Sequence, residues 1–159
     1  DYALVGKDKP NAAVFINMFS FWSLFPEGRV IFLSGRENVK FPGKSERKDK
    51  CYRRGVLDNR EFDSCLSLTA SWIHKYLEEI AKALGPEFLT KVEDGDYDWN
   101  IHMRKADDYR KDDEVKYEMY KEHVEDTHFI HYVLDDRNQV VDMWRKVGLT
   151  CFQVAPGDF

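Results

Sequence analysis

The stretch His131-Tyr-Val-Leu-Asp-Asp-Arg-Asn-Gln-Val-Val-Asp-Met-Trp-Arg-Lys-Val-Gly148 decides the fold. Apolar residues 132–134 predict a buried strand, and Asp135 and Asp136 follow it at once. The next residues predict a helix with one apolar face, formed by Val140, Val141, Trp144 and Val147. Carboxylates at the carboxyl end of a parallel strand lie where open α/β sheets bind ligands. Two such carboxylates repel each other unless a divalent cation neutralises them, so the stretch predicts a metal site.

The rest of the chain alternates between strand-like and helix-like patterns. Over the whole chain, strands are predicted at 12–16, 30–33, 97–103 (an edge strand), 129–134 (which includes the apolar residues 132–134) and 150–154. Helices are predicted at 18–25, 62–84, 112–124 and 137–147, with Gly85-Pro86 ending the second. Polar residues 38–60 predict an inserted loop or flap. This order predicts an α/β domain spanning residues 1–159, with a parallel sheet covered by helices on both faces.

Composition limits the class of protein further. The 159 residues, 43% of them hydrophobic, are enough for one domain with a proper core. The three widely spaced cysteines indicate reduced thiols and a cytoplasmic protein. No apolar run approaches the ~20 residues of a membrane span, and no signal peptide is evident at the start. A first residue of Asp rather than Met suggests a fragment or a trimmed domain.

Charge is unevenly distributed. A net charge of −5 argues against indiscriminate nucleic-acid binding. Two stretches are nevertheless basic: residues 44–54, with six Lys or Arg, and residues 104–111, with four. A basic lip around an acidic centre would suit a phosphate-bearing polymer whose end enters a metal site. For the first stretch alone, a solvated loop is an equally good interpretation.

Two further groups are candidates for binding phosphate. Ser34-Gly35-Arg36 follows the predicted strand 30–33, where a hydroxyl donates, a glycine allows close approach and an arginine binds two oxygens. An ordinary tight turn would explain the same residues. Lys116 near the start of a predicted helix could offset charge on a transferring phosphoryl group. The alternative is an exposed helix lysine paired with a neighbouring Glu.

Together these motifs resemble the 3′-phosphatase domain of bacteriophage polynucleotide kinase/phosphatase, a phosphohydrolase of the haloacid dehalogenase (HAD) superfamily. The resemblance runs from Leu33 to Phe159 and rests on four segments in the family's order. These are Ser34–Glu37, the region from Arg104 to Lys116, Asp135–Trp144 and the ending Gln153–Phe159.

The resemblance implies a Mg²⁺-dependent phosphatase that acts on nucleic-acid 3′ ends, of DNA or RNA, through an aspartyl-phosphate intermediate. Asp135 would hold Mg²⁺ directly, and Asp136 would anchor the metal or its water. Lys116 would neutralise the intermediate. Ser34, Gly35 and Arg36 would bind the phosphate. Arg104 would contact the phosphate or the nucleic-acid end. A fused or associated kinase domain and a homo-oligomer are compatible with it, and a phage-encoded protein would work in the host cytoplasm.

One motif of that family is missing. An Asp-x-Asp-Gly-Thr sequence, which supplies the nucleophile, should follow strand 12–16, but here Ile16 is followed by Asn17. Loss of a nucleophile lowers enzyme rates by on the order of 10⁴–10⁶. Either a stretch is missing between residues 16 and 17, or the protein is an inactive module that binds nucleic-acid ends or scaffolds a kinase. We favour the first, because strand 12–16 could not turn directly into helix 18–25. A small phosphate ester is a third candidate substrate.

Overall fold

The computed structural model describes residues 9–41, 56–58 and 60–157. Five helices and six strands lie within these ranges. The elements, in chain order, are α1 (Ala12–Leu24), β1 (Val30–Glu37), β2 (Val56–Leu57), β3 (Arg60–Glu61), α2 (Cys65–Leu84), α3 (Pro86–Asp94), β4 (Trp99–Arg104), α4 (Asp112–His123), β5 (Val133–Asp135), α5 (Asn138–Lys146) and β6 (Cys151–Gln153).

The long strands form parallel pairs. β1 pairs with β4 from Val30 opposite Trp99 onward, and β5 pairs with β6 from Val133 opposite Cys151. β2 and β3 form a short antiparallel pair. The predicted α/β class with parallel strands is therefore confirmed. Among the described residues, however, the strands form separate two-stranded sheets rather than one continuous sheet.

A cavity of about 960 Å³ separates the two parallel pairs. Residues 30–35 of β1 and residues 131–136 in and before β5 both line it. Helices α1 and α2 contribute side chains such as Phe15 and Trp72, and α4 contributes Lys116 and Tyr120. The cavity thus runs alongside both strands and reaches the carboxylates at the end of β5.

The predicted strand 12–16 is wrong, because residues 12–24 form the single helix α1. Asn11 caps this helix, since its side-chain oxygen accepts a hydrogen bond from the Ala13 amide at 3.2 Å. The buried side chains are Phe15, Met18, Phe19 and Trp22, which have the spacing of one helical face. Packing against α2 and α3 favours this helical pattern over a short strand, through aromatic contacts such as Phe15 with Trp72 and Phe19 with Phe88.

The continuity of α1 also changes the argument about the missing motif. If residues 12–16 formed a strand, the chain would need a sharp turn after Ile16, and this turn is the reason for expecting a missing segment before Asn17. Because α1 is continuous across both residues, no such turn exists. The Asn17 side chain instead accepts a hydrogen bond from the Tyr132 hydroxyl at 2.7 Å. The structure therefore gives no reason to expect a missing segment between Ile16 and Asn17, and that segment remains a prediction.

Helix α2 ends at the predicted residue but begins at Cys65 rather than at residue 62. Ser64 caps it by accepting a hydrogen bond from the Ser67 amide at 3.2 Å, and Gly85 ends it. Helix α3 was not predicted, although Pro86 occupies its first position, which favours helix initiation. The remaining predicted elements beyond residue 96 are present with shorter or shifted bounds, as β4, α4, β5, α5 and β6.

The predicted flap is only partly described. β2 and β3 lie within the predicted insertion 38–60 or at its end, and Lys40 forms an isolated bridge with Ser64. The basic stretch 44–54 falls outside the described residues. Among the described residues, no helix has the length and apolar character needed to cross a bilayer.

Two histidines from β4 and α4 stack on each other. The rings of His102, on β4, and His123, at the end of α4, lie 4.1 Å apart and 9° from parallel. Burial lowers the pKa of His102, the nearby His123 lowers it further and Glu122 opposes the shift. The folded protein therefore disfavours the protonated form of His102.

We expect Leu77→Ala in α2 to lower the free energy of unfolding by about 2–5 kcal/mol, because Leu77 is 1% exposed and its truncation leaves a cavity. Leu84→Ala on the same helix is the matched control, since Leu84 is 40% exposed and should cost about 0.5 kcal/mol or less. Chemical denaturation measures both. Equal losses would show that the core is not centred on this face of α2.

Because folding lowers the pKa of His102, the unfolded chain takes up a proton first as the pH falls through about 6.5. The stability gained from neutral His102 is thus present at higher pH and lost on acidification. We expect Tm to fall from pH 7.5 to pH 5.5, and to fall less in His102→Gln. His74→Gln, at an exposed position of α2, should keep the wild-type slope. An unchanged slope in His102→Gln would contradict this explanation.

Candidate active site

Asp135 ends β5 and is almost fully buried. Its Oδ1 atom accepts hydrogen bonds from the backbone amides of Asp136 at 3.0 Å and Arg137 at 3.2 Å. These bonds turn the chain from the strand into α5, as short polar side chains do at strand and helix ends. The turn fixes Asp135 at the carboxyl end of the strand, as the sequence predicted.

Lys116 of α4 completes the surroundings of Asp135. Its Nζ atom lies 2.8 Å from Asp135 Oδ2 and 3.7 Å from Asp112 Oδ2. The lysine side chain is 12% exposed, so this is a largely buried ion pair rather than a surface one. The alternative of an exposed lysine is therefore wrong. A buried ammonium with two carboxylate partners is a fixed positive charge at the strand end.

Asp112, at the first position of α4, is the residue that sequence reasoning missed. It is 8% exposed, and cationic side chains from three directions approach its carboxylate. Arg104 Nη2 lies 3.0 Å from Oδ1, Arg137 Nη1 lies 3.4 Å from Oδ2, and Lys116 shares that oxygen. The only available signal was Asp112 standing four residues before Lys116, a spacing that places both on one helix face.

Gly35 lies against the Asp112 carboxylate. A Cβ atom at Gly35 would fall 1.6 Å from Asp112 Oδ1, so only glycine allows β1 and α4 to approach this closely. Ser34-Gly35-Arg36 belongs to β1 itself, which extends to Glu37 past an irregularity, rather than to a turn after a strand ending at 33. The Ser34 hydroxyl accepts a hydrogen bond from the Arg36 amide at 3.2 Å.

Arg36 is exposed and lies near a different group. Burial raises the pKa of the Cys65 thiol, and the positive charge of Arg36 opposes that rise. Cys65 and Cys151 are buried free thiols. Arg36 therefore lies close to the start of α2, and its predicted contact with a phosphate remains a prediction.

Arg104 holds the loop between β4 and α4. Its Nη1 atom donates to the carbonyl oxygens of Asp108 at 3.2 Å and Arg110 at 2.9 Å, while Nη2 is bonded to Asp112. The side chain is 12% exposed, and Nε is buried without a hydrogen-bond partner in the described part of the chain. The geometry assigns Arg104 a structural contact with this loop, and a phosphate contact stays a prediction.

The second basic stretch is not an open cationic surface. The exposed Arg110 forms ion pairs with Asp108, at 2.7 Å, and with Glu118. The hydrogen bond from Arg110 lowers the pKa of Asp108 to about 2, so this carboxylate is ionised at neutral pH. Together with the internal bonds of Arg104, these pairs neutralise two of the four basic residues in the stretch 104–111.

Five of the predicted site residues border the cavity between the strand pairs: Ser34, Gly35, Lys116, Asp135 and Asp136. They come from β1, α4 and the end of β5, which are distant in sequence. Arg36 and Arg104 lie beside this group rather than in the cavity lining that the described residues form. The fold thus brings a hydroxyl, a close-approach glycine, an ammonium group and two carboxylates to one cavity.

The carboxylates are compatible with a magnesium ion. Mg²⁺ in proteins is commonly held by one or two carboxylates, with water and phosphate oxygens completing its octahedron. Asp135 already contacts Lys116 and two amides, whereas the half-buried Asp136 carboxylate makes no hydrogen bond within the described residues. No group of three or more His, Cys, Asp or Glu suited to a metal occurs among those residues.

Comparison with known proteins identifies a family. The family model described as "Polynucleotide kinase PNKP phosphatase domain" matches residues 1–159. A chain of the solved Pnkp1/Rnl/Hen1 RNA repair complex is 26% identical, with a TM-score of 0.41, over 82% of this chain and 43% of that chain. A chain of a second solved Pnkp1/Rnl/Hen1 complex is 28% identical, with the same TM-score of 0.41, over 82% of this chain and 47% of that chain.

This chain thus spans less than half the length of those two solved chains. The family match, by contrast, covers residues 1–159. The protein belongs to the HAD-type phosphatase-domain family of polynucleotide kinase PNKP.

Proposed function

We propose that this protein is a Mg²⁺-dependent polynucleotide 3′-phosphatase that acts on nucleic-acid ends during repair. The observation that carries the proposal is the buried Lys116–Asp135 ion pair, 2.8 Å long. Asp136, whose carboxylate makes no hydrogen bond within the described residues, lines the same cavity. Membership of the phosphatase-domain family supports the reaction class. The terminal phosphate would enter this cavity from the carboxyl ends of β1 and β5.

Each site residue then has a role that its position supports. Asp135 and Asp136 would hold Mg²⁺, which would screen the negative charge of the phosphate. The Ser34 hydroxyl and the backbone at Gly35 would contact phosphate oxygens, with Arg36 reaching the phosphate or the adjoining nucleotide. Lys116 would stabilise negative charge that develops on the phosphoryl group, because a buried ammonium acts there in a low dielectric.

In the proposed reaction an aspartate carboxylate attacks the phosphorus, and the bond between phosphorus and the 3′ oxygen breaks. The released oxygen takes up a proton and becomes the 3′ hydroxyl. Water then hydrolyses the aspartyl phosphate and regenerates the carboxylate. The attacking aspartate would come from the Asp-x-Asp-Gly-Thr motif, which the 159 residues do not contain.

An inactive module is the second candidate. It is favoured by the missing motif and by the unbroken helix α1 across Ile16 and Asn17. Such a protein would bind nucleic-acid ends or scaffold a kinase without releasing phosphate. The coding sequence around Ile16 and Asn17 separates the candidates, since an added nucleophile segment would have to be encoded between these two residues.

The expected partners follow from the proposed reaction. Nucleic-acid 3′ ends, of DNA or RNA, are the substrates, and a fused or associated kinase domain would process the other end of a break. A bacteriophage origin, a homo-oligomer and a cytoplasmic location also belong to this proposal.

We expect the natural protein to release phosphate from a 3′-phosphorylated oligonucleotide in the presence of Mg²⁺ and to stop when EDTA is added. The same oligonucleotide with a 5′-phosphate is the control and should remain intact. A 3′-mononucleotide tests the small-ester alternative. Phosphate release is measured colorimetrically. The proposal fails if a protein whose coding sequence contains the aspartate nucleophile releases nothing from the 3′-phosphorylated strand.

Lys116→Met should lower the rate of phosphate release by on the order of 10²–10³-fold, because it removes the ammonium group that faces the phosphate. It should also destabilise the fold, since Asp135 loses a buried cationic partner. Lys121→Met is the control: this lysine is on the same helix but exposed, and it pairs with Glu125. Circular dichroism checks folding. A folded Lys116→Met variant with the wild-type rate would remove Lys116 from the site.

A further inference from the structure

The segment 153–157, which follows β6 into the described end of the chain, packs against the turn that carries Asp136. Four hydrogen bonds join the two. The Val154 amide donates to the Asp135 carbonyl oxygen at 3.0 Å, and the Asn138 amide donates to the Gly157 carbonyl oxygen at 3.1 Å. Both ends of the turn are thereby attached to this segment.

Gln153 contacts the middle of the turn. Its side-chain nitrogen donates to the Asp136 carbonyl oxygen at 3.0 Å and to Asn138 Oδ1 at 2.6 Å. One amide group therefore fixes the peptide that follows Asp136 and the first residue of α5. Because the orientation of this peptide sets the direction of the Asp136 carboxylate, Gln153 constrains a group that it does not touch.

Within this segment, Gly157 packs most closely against the backbone of the turn that carries Asp136. It is buried, and a Cβ atom there would fall 1.8 Å from the Asp136 carbonyl oxygen and 2.7 Å from the Asn138 nitrogen. Both neighbours are backbone atoms of a hydrogen-bonded turn, so neither can move aside as a flexible side chain would. Gly157 is required for this contact and not for a left-handed backbone, since its φ is not among the positive values.

We propose that Gln153 and Gly157 are positioning residues that hold Asp136 in the orientation needed for Mg²⁺. The inference rests on the proposed function in assigning a metal to Asp136. Groups that orient metal ligands typically contribute 10–100-fold to metal affinity or activity. The four hydrogen bonds and the close glycine contact provide that orientation from a segment whose Val154 and Ala155 line the cavity, whereas Gln153 and Gly157 do not.

The test measures Mg²⁺ binding by isothermal titration calorimetry as well as phosphate release. Gln153→Glu retains the side-chain shape but removes the amide that donates to the Asp136 carbonyl oxygen. Gly157→Ala displaces the turn at Asp136, because the added Cβ would overlap its carbonyl oxygen. We expect the Mg²⁺ dissociation constant to rise about 10–100-fold in both variants. Gln153→Glu keeps the proposal testable if Gly157→Ala does not fold.

Two controls separate positioning from general damage. Gln139→Glu introduces the same charge change at an exposed position of α5 and should keep the wild-type dissociation constant. Gly95→Ala places a side chain at φ +76° with nothing within 4 Å of its Cβ, so it should lower Tm through backbone strain and leave Mg²⁺ binding unchanged.

The outcomes are distinct. Folded Gln153→Glu and Gly157→Ala variants that bind Mg²⁺ as tightly as wild type overturn the inference. A wild-type protein that binds no Mg²⁺ overturns it together with the metal assignment of the proposed function. A wild-type protein that binds Mg²⁺ but releases no phosphate, with weakened binding in the variants, supports the positioning role while the proposed phosphatase activity fails.

Discussion

The buried ion pair between Lys116 and Asp135 is the interaction on which the candidate site depends, because it joins α4 to the end of β5. Buried charges are tolerated only when they are paired and hydrogen-bonded. The two backbone amides on Asp135 and the second carboxylate beside Lys116 meet that requirement. Removing either partner leaves an uncompensated charge in the interior, so the pair constrains both elements at once.

Asp112 extends this constraint to the rest of the site. Its carboxylate contacts Arg104, Arg137 and Lys116, and it lies against the backbone of Gly35. The charges nearly balance, with three cations around Asp112 and Asp135 and the half-buried Asp136 beside them. A site of this kind is preorganised: its polar groups are held by one another before any ligand arrives, which lowers the reorganisation needed during a reaction.

The divided sheet gives the site its cavity. Strands β1 and β5 do not pair with each other, and both border the same cavity, which residues of α1, α2 and α4 also line. The carboxylates therefore lie at the margin of a cavity rather than on a closed sheet edge. Asn17, beside which the family resemblance places the missing Asp-x-Asp-Gly-Thr motif, also lines this cavity.

The sequence alone determined the strand, carboxylate and helix order of 131–148, because apolar periodicity and a polar strand end are local patterns. The apolar spacing and the glycine stop likewise predicted α2 and its end, although the helix begins at Cys65 rather than at residue 62. Only the tertiary structure decided that residues 12–24 form one helix, since the face of Phe15 and Trp22 is stabilised by packing against α2 and α3. The tertiary structure also made Asp112 a partner of three cations and turned Arg104 inward, because such contacts depend on which distant elements meet.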